Sequence, residues 1–112
     1  MASRIKPIEF LGSSLTALRA FPVDARRMAG FQLDRVQRGL DPPDWKPMPS
    51  VGPGAREIRV RDESGAYRVL FVSTTAGTVC VVHCFQKKTR RTSRLDLEIA
   101  RTRFRQLMRV QG

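Results

Sequence analysis

Three stretches of the chain, Glu57–Arg61, Ala66–Val72 and Val79–Phe85, have the length and apolar content of β-strands, and the basic run Gln86–Arg91 follows the third. In the first two, cationic side chains alternate with apolar ones, so one face can be buried while Arg59, Arg61 and Arg68 are presented elsewhere. A chain with this pattern builds a sheet with a basic surface. The connections Asp62–Gly65 and Thr74–Gly77 have the length and the glycine of antiparallel hairpins.

Ahead of these strands the pattern predicts a short strand over Ile5–Phe10, closed by Gly12, then a helix capped by Ser13 or Ser14 and running to Ala20. Pro22 suits the first turn of a second helix, whose stripe Ala25, Ala29, Leu33, Val36 and Leu40 has helical spacing and which should end at Gly39. The two helices are expected to form an antiparallel hairpin over the sheet. From Asp41 to Gly54, five prolines and two glycines surround Trp45 and Met48; this reads as an ordered connection, with Trp45 a lid on the core. A last helix is capped by Thr92 or Ser93, carries Asp96 in its first turn, and buries Leu97, Ala100, Phe104 and Leu107. The order β-α-α-β-β-β-α is an α+β fold: an antiparallel-rich sheet with an N-terminal helical hairpin and a C-terminal helix. At 112 residues the chain, 1–112, reads as one domain.

The formal net charge is +11, and from Gln86 onward nine lysines and arginines stand against only Asp96 and Glu98. Such a chain is attracted to polyanions, nucleic acid or the ribosome first among them. The alternative is a solvated basic helix face. No long apolar run or signal-peptide stretch interrupts the reading, so no membrane association is expected and the expected location is cytoplasmic. Cys80 and Cys84 on one strand would lie roughly 13 Å apart at ~3.3 Å per residue, too far for a disulfide. With one histidine and no further cysteine, a metal site is not expected, nor is any cofactor. Carboxylate pairs, Ser/His/Asp sets and phosphate-binding glycine loops are missing, which removes the common hydrolase, kinase and dehydrogenase readings.

The element order, together with Ile5–Gly12, Trp45–Pro49, Arg56–Val60, Tyr67–Val69 and His83–Thr89, resembles the RelE/ParE superfamily of toxin-antitoxin toxins, and specifically its phage-derived HigB-like branch. The resemblance covers nearly the whole chain. It implies a RelE-like small domain that acts as a ribosome-dependent mRNA endonuclease, an mRNA interferase that needs no metal. It also implies a cognate helix-turn-helix antitoxin of the HigA-like kind, with the ribosome and mRNA as further partners. The same superfamily offers a non-nuclease alternative, a ParE-like gyrase inhibitor. A basic module that binds ribosomes or RNA without cutting is a second alternative.

By position in the family pattern, Arg68 is the candidate phosphate clamp and Arg59 a second contact to the same phosphate. Arginine suits that task because its planar fork holds two phosphate oxygens and stays charged. Lys87 or Lys88 would supply the general acid, or a base if crowded cations lower its pKa. Arg56, Arg61, Arg90 and Arg91 are the expected RNA contacts. Each has a plain structural alternative: Arg68 could pair with Glu57 or Asp62, Arg59 could be solvated, and the lysines could serve docking alone. His83, the one histidine, is a candidate base or a hydrogen-bonded core residue, and shares a face with Phe85 and Lys87 if the strand is regular. The chain departs from the RelE pattern in having no tyrosine after the basic run, Tyr67 being its only one, so the stacking or proton-transfer role of that tyrosine falls to another residue, Phe85 for stacking, or is missing.

Overall fold

The computed structural model describes residues 5–111. Its elements are β1 (Ile8–Phe10), α1 (Ser14–Arg19), α2 (Val23–Gln37), β2 (Trp45–Pro47), β3 (Ala55–Asp62), β4 (Gly65–Ser73), β5 (Val79–Lys87) and α3 (Arg94–Gln111). The strands form one sheet in the order β1-β5-β4-β3-β2, antiparallel except where β1 lies parallel to β5. The α+β class and both helical layers follow the sequence expectation. Strand β2 is the addition: within the proline-rich connection, Trp45, Lys46 and Pro47 pair with Ile58, Glu57 and Arg56. It is an edge strand, which is where a proline without an N–H is tolerated.

Alternation along the strands divides the apolar side chains between two cores. On one face Ile58, Val60, Tyr67, Val69, Phe71, Val79, Val81 and Cys84 pack under α1 and α2, through Leu18, Phe21, Ala25, Ala29, Leu33 and Val36. On the other, Ala55, Leu70, Val72, Cys80, Val82 and Phe85 pack under Val51 and the α3 residues Ala100, Phe104 and Leu107. Leu40 does not extend the α2 stripe. The helix ends at Gln37 with Arg38 as its C-cap, Gly39 turns the chain with φ 80°, and Leu40 lies beyond it, exposed. Nor does a serine hydroxyl cap α1: Ser14 Oγ donates to the Val81 carbonyl and Ser13 Oγ accepts from Arg103.

Strand β5 contains a bulge. Leu70 pairs with His83 but Phe71 with Val81, so Val82 is an extra residue and the alternation changes phase there. Cys80 and Cys84, four apart, therefore enter opposite cores. Both are free and buried; burial raises both thiols, Cys84 to about 12. Arg103 Nη1 donates to the Val82 carbonyl at 2.9 Å, and its guanidinium lies so close over Gly12 that a Cβ there would stand 2.6 Å from Nε. Gly12 also has φ 53°, a conformation that glycine adopts without strain.

The N-terminus of α3 is held by Ser93 and Asp96. Asp96 N donates to Ser93 Oγ (3.1 Å), Ser93 Oγ donates to Asp96 Oδ2 (2.6 Å), and Asp96 Oδ1 lies 2.7 Å from His83 Nε2. His83 is buried, with its ring stacked at 5.1 Å on Phe85. Burial pushes its pKa below the usual value against the pull of Asp96. It follows that the unfolded chain takes up a proton near pH 6.5, whereas the folded chain does so only at lower pH. Stability is expected to fall as pH drops from about 7 through the folded pKa. Urea midpoints at pH 7.5 and 5.5 check this, and His83→Gln should flatten the dependence. Packing under α3 gives a second expectation. A Cβ at Gly52 would collide with the Phe104 ring, so Gly52→Ala should cost about 1–3 kcal/mol in denaturant unfolding.

Candidate active site

Period-two alternation puts Glu57, Arg59 and Arg61 of β3 on the side of the sheet that α3 covers. Register brings Arg68 of β4 opposite Arg59, and Ala66 opposite both Arg61 and Lys87. Helix α3 packs over Leu70, Val72, Cys80 and Val82, toward the other end of the strands, so its cover does not reach these cations. Lys46 of β2, opposite Glu57, extends the same surface. The result is a half-open sheet face lined mainly by cationic side chains.

Two grooves indent that face beside the arginines, and a third, of about 170 Å³, lies among Phe85, Lys87, Lys88, Thr89, Ser93 and Asp96. One of about 370 Å³ is lined by Arg61, Ala66, Arg68, Lys87, Lys88, Thr89 and Arg90. A smaller one, about 140 Å³, lies among Asp44, Arg59, Val60, Arg61 and Arg68. Arg68 borders both grooves. It is only 8% exposed, donates Nη1 to the Tyr67 carbonyl at 3.0 Å, and holds Nε 3.6 Å from Glu57 Oε1. Burial lowers its pKa, with Glu57 opposing and Arg59 adding to the shift, but a guanidinium stays charged at any working pH. Lys87 is lowered as well, by burial first and then by the Arg68 charge. An ammonium so placed releases its proton more readily than a free lysine.

Arg59 is held although its side chain is partly exposed. Its Nε donates to Asp44 Oδ1 at 3.0 Å and its backbone N–H to the Asp44 carbonyl, while Gln32 bonds both Asp44 N–H and the Arg59 carbonyl. This network ties α2, the β2 approach and β3 together. The Arg68–Glu57 ion pair, the structural alternative foreseen for Arg68, exists alongside its position on the groove.

Arg68, Arg59, Arg61, Lys87, Lys88 and Arg90 are thus brought to one surface. Arg56 is not. Its side chain belongs to the opposite face, 4.3 Å above the Trp45 ring and 3.5 Å from Asp41. Trp45 accordingly packs on an arginine at the sheet edge instead of closing the core. Arg91 is exposed in the loop after β5 and lines neither groove. His83 does lie on the same side as Phe85 and Lys87, but it borders neither groove and is committed to Asp96. Phe85 is 8% exposed, its ring shared between His83 and the α3 core. Tyr67 points away from Arg68: its hydroxyl meets Ser64 Oγ at 2.6 Å and its ring packs on Phe21. Sequence reasoning missed Lys46 and Asp44, and named Glu57 only as a pairing partner of Arg68. The alternation Glu57, Arg59, Arg61 was the available signal for Glu57, whereas Lys46 sits in a strand without a local pattern.

Residues 16–105 match the phage-derived Gp49-like protein family. Among solved structures, the toxin RelE of Escherichia coli, determined as a mutant in the free state, superposes with a TM-score of 0.62. The match covers 92% of this chain and 98% of that one at 14% identity, a level at which the likeness speaks for the fold. No curated protein matches the sequence. The chain belongs to the Gp49-like family of phage-derived proteins, and its fold is the one that RelE has.

Proposed function

We propose that this protein is a toxin, held by an antitoxin partner, that arrests translation by cutting mRNA on the ribosome, with the half-open cationic face as its metal-independent ribonuclease site. The observation that carries the reading is the convergence of Arg59, Arg61, Arg68 and Lys87 along a single groove system. In the reaction, the ribose 2′-hydroxyl loses its proton to water as its oxygen attacks the adjacent phosphorus in line, and the 5′-oxygen leaves and takes up a proton, giving a 2′,3′-cyclic phosphate and a 5′-hydroxyl. The protein's task is then to fix the phosphate, neutralise the charge that builds on its oxygens, and protonate the leaving group.

Arg68 is the clamp: it is buried, anchored and borders both grooves. Arg59 flanks the same phosphate from β3. Lys87 donates the proton to the 5′-oxygen, a role that its lowered pKa favours. Lys88, Arg61 and Arg90 hold the flanking backbone of the message, and the ribosome presents it as single strand. A partner resembling the HigA antitoxins would hold the toxin silent. His83 has no part in the reaction in this account.

Primer extension on a translated message is the test. Arg68→Ala should fold and still bind its antitoxin while cleavage drops about 100-fold or more, the scale of a lost transition-state charge contact. Retained toxicity without cuts would point instead to gyrase or to occlusion of the ribosome. The acid role of Lys87 gives a pH expectation. The protonated form is the active one, so the single-turnover rate should decline as pH rises through its pKa, which lies below the ordinary 10.5. Lys87→Ala should be slow and should lack that decline.

A further inference from the structure

A carboxylate stands inside the cation cluster. Glu57 is 1% exposed, and neither of its oxygens has a hydrogen-bond donor among the described residues. Its nearest charged neighbours are Arg68 Nε at 3.6 Å and Lys46 Nζ at 3.8 Å, and Arg68 Nε is itself buried without a hydrogen-bond partner. A buried carboxylate without hydrogen bonds is costly to fold. Here it also weakens the field of a surface that must attract phosphate. Two penalties of this kind persist only if the group does something for its neighbours.

What it can do follows from its position. Glu57 lies on β3 opposite Lys46 of β2, two residues from Arg59, and its oxygen sits between two long cationic side chains. Arg59, Arg68 and Lys46 would otherwise repel one another and sample many rotamers. A shared negative charge draws Arg68 and Lys46 to one place before any RNA arrives, so both meet the phosphate in a fixed geometry. Resting on the ribonuclease reading, we propose that Glu57 is a positioning residue: it aligns Arg68 and Lys46 on one phosphate and lowers RNA affinity in doing so. Lys46, half-exposed on the edge strand, is then a further phosphate contact of the site.

The test separates affinity from turnover. Glu57→Gln keeps the shape and removes the charge, and Glu57→Asp keeps the charge with a shorter reach. In single-turnover assays on programmed ribosomes, Glu57→Gln should lower the saturating cleavage rate about 10- to 100-fold, as expected when a catalytic group is misplaced. Glu57→Asp should recover part of that loss. The same Glu57→Gln protein should bind a fluorescent single-stranded RNA decamer, without ribosomes, about 2- to 10-fold more tightly, with a salt dependence steeper by about 0.7. In an Arg68→Ala background Glu57→Gln should add little further loss of rate. Wild-type turnover in Glu57→Gln, weaker RNA binding by it, or a rate loss undiminished without Arg68 would each overturn the proposal. If the wild-type protein cuts nothing on ribosomes, the ribonuclease reading fails by itself. The RNA-binding arm then decides alone whether Glu57 restrains the cationic face.

Discussion

The extra residue at Val82 decides which side of the sheet β5 serves. Before it, Val79 and Val81 feed the core under α1 and α2; after it, Phe85 shares the α3 core and Lys87 faces the groove that Arg68 borders. In a strand with unbroken alternation Lys87 would share the face of Val79 and Val81, behind the sheet and away from Arg68. A bulge interrupts ladder hydrogen bonding, and Arg103 supplies a donor to the Val82 carbonyl from α3. An arginine that reads as one more positive charge on a basic helix therefore holds the site in register, and Gly12 provides the room for it.

The second constraint is coverage. Helix α3 shields one end of its sheet face and leaves the other open, so the apolar core and the cationic surface are two halves of one plane. Arg68 sits at their boundary, buried enough for its charge to be poorly screened and still bordering both grooves. The Ser93–Asp96–His83 contacts fix where the helix begins, and with it where the open half starts. This is a structural use of the one histidine, and burial explains why its proton affinity is reduced.

Much of this was legible in the sequence. The three long strands, the two glycine hairpins, the α2 and α3 stripes and the Ser93 cap follow from periodicity and capping chemistry, and the common face of Arg59, Arg61 and Arg68 follows from alternation and hairpin register. The prediction that His83, Phe85 and Lys87 share a face holds because the bulge falls just before His83. What was not legible depends on tertiary pairing. Strand β2 is three residues stabilised by its neighbour, so no propensity announces it and Lys46 goes unnoticed. The bulge has no local signature in a run of apolar residues. Arg56 is indistinguishable from Arg59 by composition, and only strand phase sends it to Trp45. Leu40 fits the helical spacing of α2, but Gly39 ends the turn before it.

The central claim is that the half-open face cleaves RNA through the 2′-oxygen of its substrate. The most direct measurement places a single 2′-deoxynucleotide at the mapped cut within a short message bound to ribosomes, and analyses the products by mass spectrometry. The account predicts a 2′,3′-cyclic phosphate and a 5′-hydroxyl from the all-ribose message, and no cut at the deoxy position. Cleavage that ignores the missing hydroxyl, or growth arrest with the message intact, would contradict it.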